Sequence, residues 1–187
     1  MTLNDIILGA LAQLDRGQDE ETVSIWWNKL ARFANDGIAD LAMQIKPRRK
    51  ENVTLSGGLA GTAQFNTALL ARRCVKVLAI RENGLELAFS RAKETGFVRI
   101  PDASPGAGVE LEYRFLPDEI SEAADVPELP ELCHALIITY TVARERASGD
   151  VNLQRGGNIY FQMYENGKKG LKRHLGENGV YSISKRW

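Results

Sequence analysis

Val109-Glu110-Leu111-Glu112-Tyr113-Arg114-Phe115 decides the fold class. Its apolar residues stand at every second position with charged residues between them. That period of two marks a strand with one face in a core and the other in water. Upstream, Phe97-Val98-Arg99-Ile100-Pro101 reads as another strand. Cys74 to Ile80 and Leu85 to Phe89 flank Glu82-Asn83-Gly84, and Asn-Gly between apolar runs is a strong hairpin signal. Val53-Thr54-Leu55 adds a strand, and Ser56 to Thr62 follows as a glycine-rich loop. Residues 49–117 are therefore expected to form one small antiparallel sheet of four or five strands with a solvated face.

Outside this block the period is helical. Thr2 is placed to cap a first helix, in which Leu3, Ile6, Ile7, Ala10, Leu11 and Leu14 share one face. Asp15-Arg16-Gly17 ends it. A longer helix starts between Asp19 and Thr22 with acids in its first turn, which suit the helix dipole. Its apolar positions run from Val23, Trp26 and Trp27 to Ile45. Asn35-Asp36-Gly37 predicts a kink or a close helix contact, and Lys46-Pro47 a stop. Few residues join the two helices, so an antiparallel hairpin is expected over residues 1–48.

Helices return after an acidic connector with prolines at 117, 127 and 130. Pro130 suits a first turn, and the helix after it is expected to bury Leu132, Leu136, Ile137, Tyr140 and Ala143 or Ala147. A last helix is expected after Gly156-Gly157, with Ile159, Tyr160, Met163, Tyr164, Leu171 and Leu175 as its apolar set and Gly167 and Gly170 weakening its middle. Residues 118–176 thus complete a helical bundle. Gly179 to Trp187 alternates like a strand with no local partner, so 177–187 reads as an extended arm. The fold class is α+β: two N-terminal and two C-terminal helices, with the β domain inserted between them.

Composition narrows the function. The chain has 187 residues, 44% hydrophobic and 26% charged, which is ordinary for a folded domain and excludes whole-chain disorder. Lys plus Arg and Asp plus Glu are 24 each. A protein built to grip duplex DNA carries a basic excess, so any contact with nucleic acid is expected to be local or non-adhesive. The N-terminus has no basic secretory n-region, and no apolar run nears the roughly 20 residues that span a bilayer.

The search for catalytic chemistry returns little. The Ser56–Thr62 loop lacks the Lys-Ser/Thr of a phosphate-binding loop, and Gly106 and Gly108 read as turn glycines. Cys74 and Cys133 read as buried small hydrophobes rather than a disulfide. His134 and His174 are too isolated for a zinc site, and a catalytic Cys133–His174 pair is a remote reading. Ser182 to Lys185 matches Ser-x-x-Lys by chance. Glu86, Glu110 and Glu112 read as a solvated strand face. No cofactor, metal or enzymatic activity is expected.

Charge patterning says more. Asp118, Glu119, Glu122, Asp125, Glu128 and Glu131 occupy one stretch without a base. Lys168, Lys169, Lys172, Arg173, Lys185 and Arg186 lie in the last twenty residues with one acid, Glu177. Lys46-Pro47-Arg48-Arg49-Lys50 is also basic. Such segments suit head-to-tail association, the acidic connector of one copy meeting the basic face (Lys168, Lys169, Lys172, Arg173) of the next. The unpartnered segment Gly179, Val180, Tyr181, Ser182, Ile183, Ser184, Lys185, Arg186, Trp187 suits docking on another chain.

This order of features resembles the tailed-bacteriophage head–tail adaptor (connector) proteins. The resemblance rests on the helix Leu3 to Leu14 with its longer successor, the Asn83-Gly84 hairpin leading into Tyr113-Arg114-Phe115-Leu116-Pro117, and Val126-Pro127-Glu128-Leu129-Pro130. It continues through the helix from His134 past Ala143-Arg144-Glu145-Arg146, to Tyr160 and Met163-Tyr164-Glu165. It implies a non-enzymatic homo-oligomeric ring, commonly twelve-fold, made in the host bacterial cytoplasm and built into the neck of the virion. The ring would sit on the portal protein, meet the tail or the next neck protein, and let DNA pass through its lumen without specific binding. It implies that Gly179 to Trp187 docks on the portal and that the β domain faces the tail. Another neck or tail ring component, such as a tail terminator or stopper, or a non-enzymatic protein-interaction module, is the alternative. The paired N-terminal helices argue for the adaptor.

Overall fold

Thr2 caps the first helix, as its sequence requires. The Thr2 hydroxyl accepts from the Asp5 N–H, and the Asp5 carboxylate accepts from the Thr2 N–H, so two orphan donors of the first turn are satisfied. The structure is a computed structural model that describes residues 1–58, 62–91, 96–148 and 151–175, with the side chains of 151–158 and 172–175 outside the description. The chain divides into two units. One comprises Met1–Ile45 and the chain from Glu119 onward, the other Lys46–Asp118. Together they hold four helices and two small antiparallel sheets, an α+β fold.

The helical unit contains α1 (Leu3–Gln13), α2 (Glu20–Ile45), α3 (His134–Ala147) and α4 (Val151–Leu175). Leu3, Ile6, Ile7, Ala10 and Leu11 of α1 are buried, the stripe its spacing predicts. Asp19 starts α2, its carboxylate accepting from the Thr22 N–H at 3.0 Å and the Thr22 hydroxyl at 2.8 Å. The helix then runs unbroken through Asn35-Asp36-Gly37, and the expected close helix contact is made at Gly37.

α3 packs against all three other helices. Each partner offers it a glycine. A Cβ at Gly9 of α1 would lie 2.8 Å from Ile138 Cδ1, and one at Gly37 of α2 would lie 2.9 Å from Tyr140 Cδ1. A Cβ at Gly167 of α4 would run into Leu136. Gly167 is thus a packing device rather than a weak spot. The missing side chains let backbones approach closely, which offsets the helix propensity that glycine loses.

Buried charge ties the other end of α3. Glu145 is 8% exposed and receives Lys29 of α2 at 2.6 Å and Arg16 of the α1–α2 loop at 3.9 Å. The Arg16 guanidinium lies 3.8 Å from the centroid of the Trp26 ring, a cation–π contact. The connector after residue 118 is pinned to the same unit. Asn35 donates to the Ile120 carbonyl at 2.9 Å and accepts from its N–H at 3.0 Å. The Leu3 N–H donates to the Asp125 carbonyl at 2.7 Å, and that of Asn4 to the Ala123 carbonyl at 3.1 Å.

Three expectations fail in this unit. Leu132 is 51% exposed, because it lies in the short 3₁₀ turn Glu131–Cys133 that precedes α3 rather than on the helix's inner face. The last helix starts at Val151, not after Gly156-Gly157. Two glycines lower helix propensity without forbidding the conformation. Ile159 and Met163 are 60% and 56% exposed, while Tyr164 and Leu171 are buried.

The second unit holds two sheets rather than one. β1 (Arg48–Thr54), β8 (Gly108–Leu116), β4 (Arg73–Glu82) and β5 (Leu85–Glu86) make the first, in that order. β2 (Ser56–Gly57), β3 (Ala63–Asn66), β7 (Phe97–Ile100) and β6 (Ser90–Arg91) make the second. All pairings are antiparallel. Asn83 and Gly84 both have positive φ, 50° and 84°, which matches the strand twist at the β4–β5 turn. Inward residues of both sheets share one core, including Phe65, Ile80, Val98, Ile100, Leu111, Tyr113 and Phe115. The expected single sheet misses this because β3 is only four residues long and two of them are amides. β1 opens on Arg48-Arg49-Lys50, which reads as a charge run rather than a strand.

Candidate functional site

Cys74, Cys133 and His134, among the residues singled out for chemistry, are packed into the fold. Burial raises the Cys133 thiol to about 11, so it stays protonated and non-nucleophilic near neutrality. Burial likewise raises Cys74. His134 is 3% exposed, with Nε2 3.2 Å from the Leu129 carbonyl, and holds the connector to the start of α3. His174 and Ser182 to Lys185 lie outside the described side chains. Among the described residues no cluster of three or more His, Cys, Asp or Glu is arranged to hold a metal. Nor is any helix among them long and apolar enough to cross a membrane.

Two of the strand carboxylates, Glu110 and Glu112, are paired across the first sheet, and Glu86 is exposed. Lys50 meets Glu110 at 3.1 Å, Arg81 meets Glu112 at 3.2 Å and Glu110 at 3.5 Å, and Arg48 meets Glu112 at 3.6 Å. The Lys50 hydrogen bond, chiefly, holds the Glu110 carboxyl below its ordinary value. These ladders explain part of the basic run that follows α2. Gly106 has φ 89° and donates to the Leu55 carbonyl at 2.8 Å, so it is a turn glycine. In the Ser56–Thr62 loop the Gly58 N–H donates to the Thr62 carbonyl at 2.7 Å, and residues 59–61 lie outside the description.

The acidic connector is only partly free for a partner. Asp118 is paired with Arg72 at 3.2 Å. Asp125 accepts from the N–H groups of Glu122 and Ser121 at 2.8 and 2.9 Å, and these bonds hold its carboxyl below the usual range. Glu128 is half-buried. Glu119, Glu122 and Glu131 project into solvent.

The basic candidates divide as sharply. The Lys168 side chain is 14% exposed and is held by Asp40 at 2.7 Å and Glu165 at 2.9 Å. The Tyr164 hydroxyl donates to the same Asp40 carboxylate at 2.5 Å. Burial and that hydrogen bond push the Tyr164 phenol far above its ordinary value. Lys168 thus joins α4 to α2 within one chain. Its i, i+3 spacing from Glu165 was legible in the sequence, but the Asp40 contact, 128 residues away, was not. Lys169 is exposed. The side chains of Lys172 and Arg173, and all of Gly179 to Trp187, lie outside the description.

The sequence reading missed the exposed apolar positions. Ile159 and Met163 are exposed on α4, and a shallow depression on the same helix is lined by Phe161, Gln162, Glu165, Asn166 and Lys169. Val126 of the connector is 55% exposed. Exposed apolar side chains beside charged ones are the composition of a protein-contact surface.

No curated protein matches the chain significantly. The family model described as SU10 adaptor protein matches residues 1–182, so the chain belongs to this family of tailed-phage head–tail adaptors, structural proteins of the virion that work with other head and tail proteins.

Proposed function

We propose that this chain forms a ring in the neck of a tailed phage, joining the portal to the tail and lining the channel through which DNA passes, without catalysing a reaction. The family match over nearly the whole chain carries this reading. In it the four helices act as a bundle that packs between neighbours and against the portal. The inserted β domain, residues 49–117, faces the tail. The arm Gly179 to Trp187 extends from the bundle and docks on the portal. Glu119, Glu122 and Glu131 supply the acidic side of the subunit contact, and Lys169, Lys172 and Arg173 the basic side. Equal numbers of acidic and basic residues suit a lumen that DNA must slide through, since phosphate-gripping cations would retain it.

The experiment is a truncation. A chain ending at Asn178 is expected to keep its circular dichroism and melting temperature while its attachment to the portal protein of the same phage weakens at least tenfold. Undiminished portal binding by the truncated chain would remove the arm from the interface.

A further inference from the structure

The outer face of the first sheet carries charges in rows that the register lines up across strands. Lys50 of β1 stands opposite Glu112 of β8, and Arg81 of β4 stands between Glu110 of β8 and Glu86 of β5. Those rows mix signs. The row nearest the start of β1 does not. Arg48 of β1, Arg114 of β8 and Lys76 of β4 are direct cross-strand neighbours, three cations side by side. Like charges directly opposite one another destabilise a sheet. Glu112 reaches this row at Arg48, at 3.6 Å, and is shared with Arg81. Among the described residues no acid pairs with Arg114 or Lys76, and Arg114 Nε is buried without a hydrogen-bond partner. A β-bulge brings Lys76 into the row. Cys74 stands opposite Phe115 and Lys76 opposite Arg114, with Val75 as the extra residue between them. In an unbulged strand Lys76 would stand opposite Tyr113, on the core face. Val75 is 49% exposed beside it.

We infer that Arg48, Arg114 and Lys76 form a docking site for two carboxylates on an acidic helix of a different virion protein. Neighbouring strands lie about 4.8 Å apart, so two carboxylates seated between three cations stand about 5 Å apart, close to the spacing of side chains one turn apart on a helix. Val75 offers that helix an apolar contact beside the charges. A nucleic-acid backbone suits the face less well, because Glu86, Glu110 and Glu112 lie in the adjoining rows and would repel a continuous run of phosphates. A helix presents its two charges locally. The row and the bulge belong to this chain alone, and only the partner's place in the virion rests on the adaptor reading above.

The test titrates the full, isotope-labelled chain with a helical alanine-based peptide carrying two glutamates four residues apart, read by amide NMR shifts. Shifts should move in β1, β4 and β8 around the three cations, and a control peptide with glutamine for glutamate should bind at least tenfold more weakly. Lys76→Glu should lose the glutamate peptide at least tenfold, and Lys76→Arg should keep it. Because Lys76→Glu sets an opposite charge beside Arg114, its melting temperature should equal or exceed that of wild type, which separates lost docking from lost folding. Equal binding of the two peptides, or shifts confined to the helical unit, would overturn the proposal. So would a Lys76→Glu chain that melts early, because the row would then stabilise the chain by itself. Duplex DNA binding more tightly than the peptide at the same amides would give the row to nucleic acid instead. Shifts of these amides on dilution of the free chain would give it to a second copy. Absence of wild-type rings on the portal would overturn the ring reading and leave the peptide result standing.

Discussion

Gly37 of α2 lies against the ring of Tyr140 of α3 so closely that a Cβ there would sit 2.9 Å from Cδ1, 3.2 Å from Cγ and 3.3 Å from Cβ of the tyrosine. These atoms are the base of the side chain and cannot swing away. Tyr140 is held further by edge-on contacts with Tyr164 and Phe161, at centroid distances of 5.0 and 5.9 Å. Gly37→Ala should therefore cost about 1–3 kcal/mol, despite the roughly 1 kcal/mol that alanine gains in helix propensity. Gly9→Ala meets chiefly the rotatable end of Ile138, with the next atoms at 3.6 and 3.7 Å. It should stay within about 1 kcal/mol of neutral. Urea denaturation of the two variants checks the order, and equal costs would contradict it.

Stability should fall in acid, partly through Asp40. Burial alone would raise its carboxyl, but hydrogen bonds from Lys168 and Tyr164 outweigh burial and hold it below 3.8. A group whose folded value is depressed contributes stability above its unfolded value and loses it as pH falls through the folded one. Asp19 and Asp125, held low by backbone hydrogen bonds, add to the same trend. Thermal melts should be level from neutrality to about pH 5 and decline below about pH 4. Asp40→Asn should melt earlier at neutral pH and lose less on acidification. An unchanged acid slope would place the titrating groups elsewhere.

Much of this was legible in the sequence, and what was not has physical causes. The capped first helix, the Asn83-Gly84 hairpin and the alternating Val109–Phe115 strand declare themselves, since local chemistry fixes each. The second sheet does not: Ala63-Gln64-Phe65-Asn66 is too short for a period, and its pairing with Phe97–Ile100 is a long-range fact. The exposure of Ile159 and Met163 was equally hidden. Helical spacing shows that residues share a face, not which face meets a core. Lys168 reads as a surface cation because Asp40, its partner, is remote in sequence. The acidic connector was visible as charge, whereas the local bonds that occupy Asp118 and Asp125 were not.

Association between copies should weaken as salt rises, if Glu119 and Glu122 face cations of a neighbour. Exposed charges more than about 10 Å apart are largely screened at 0.1 M salt, and closer pairs lose part of their attraction. Cross-linking on the portal at about 0.05 and 0.5 M salt should show fewer linked neighbours at the higher value. Assembly that gains with salt would mean that apolar contacts dominate.

Co-sedimentation of the purified chain with the portal protein of the same phage, followed by electron microscopy of the pellet, tests the central claim most directly. The account predicts stoichiometric binding and a ring of density on the portal, coaxial with its channel. A folded chain that leaves an intact portal bare would contradict it and move the protein to the tail side of the neck.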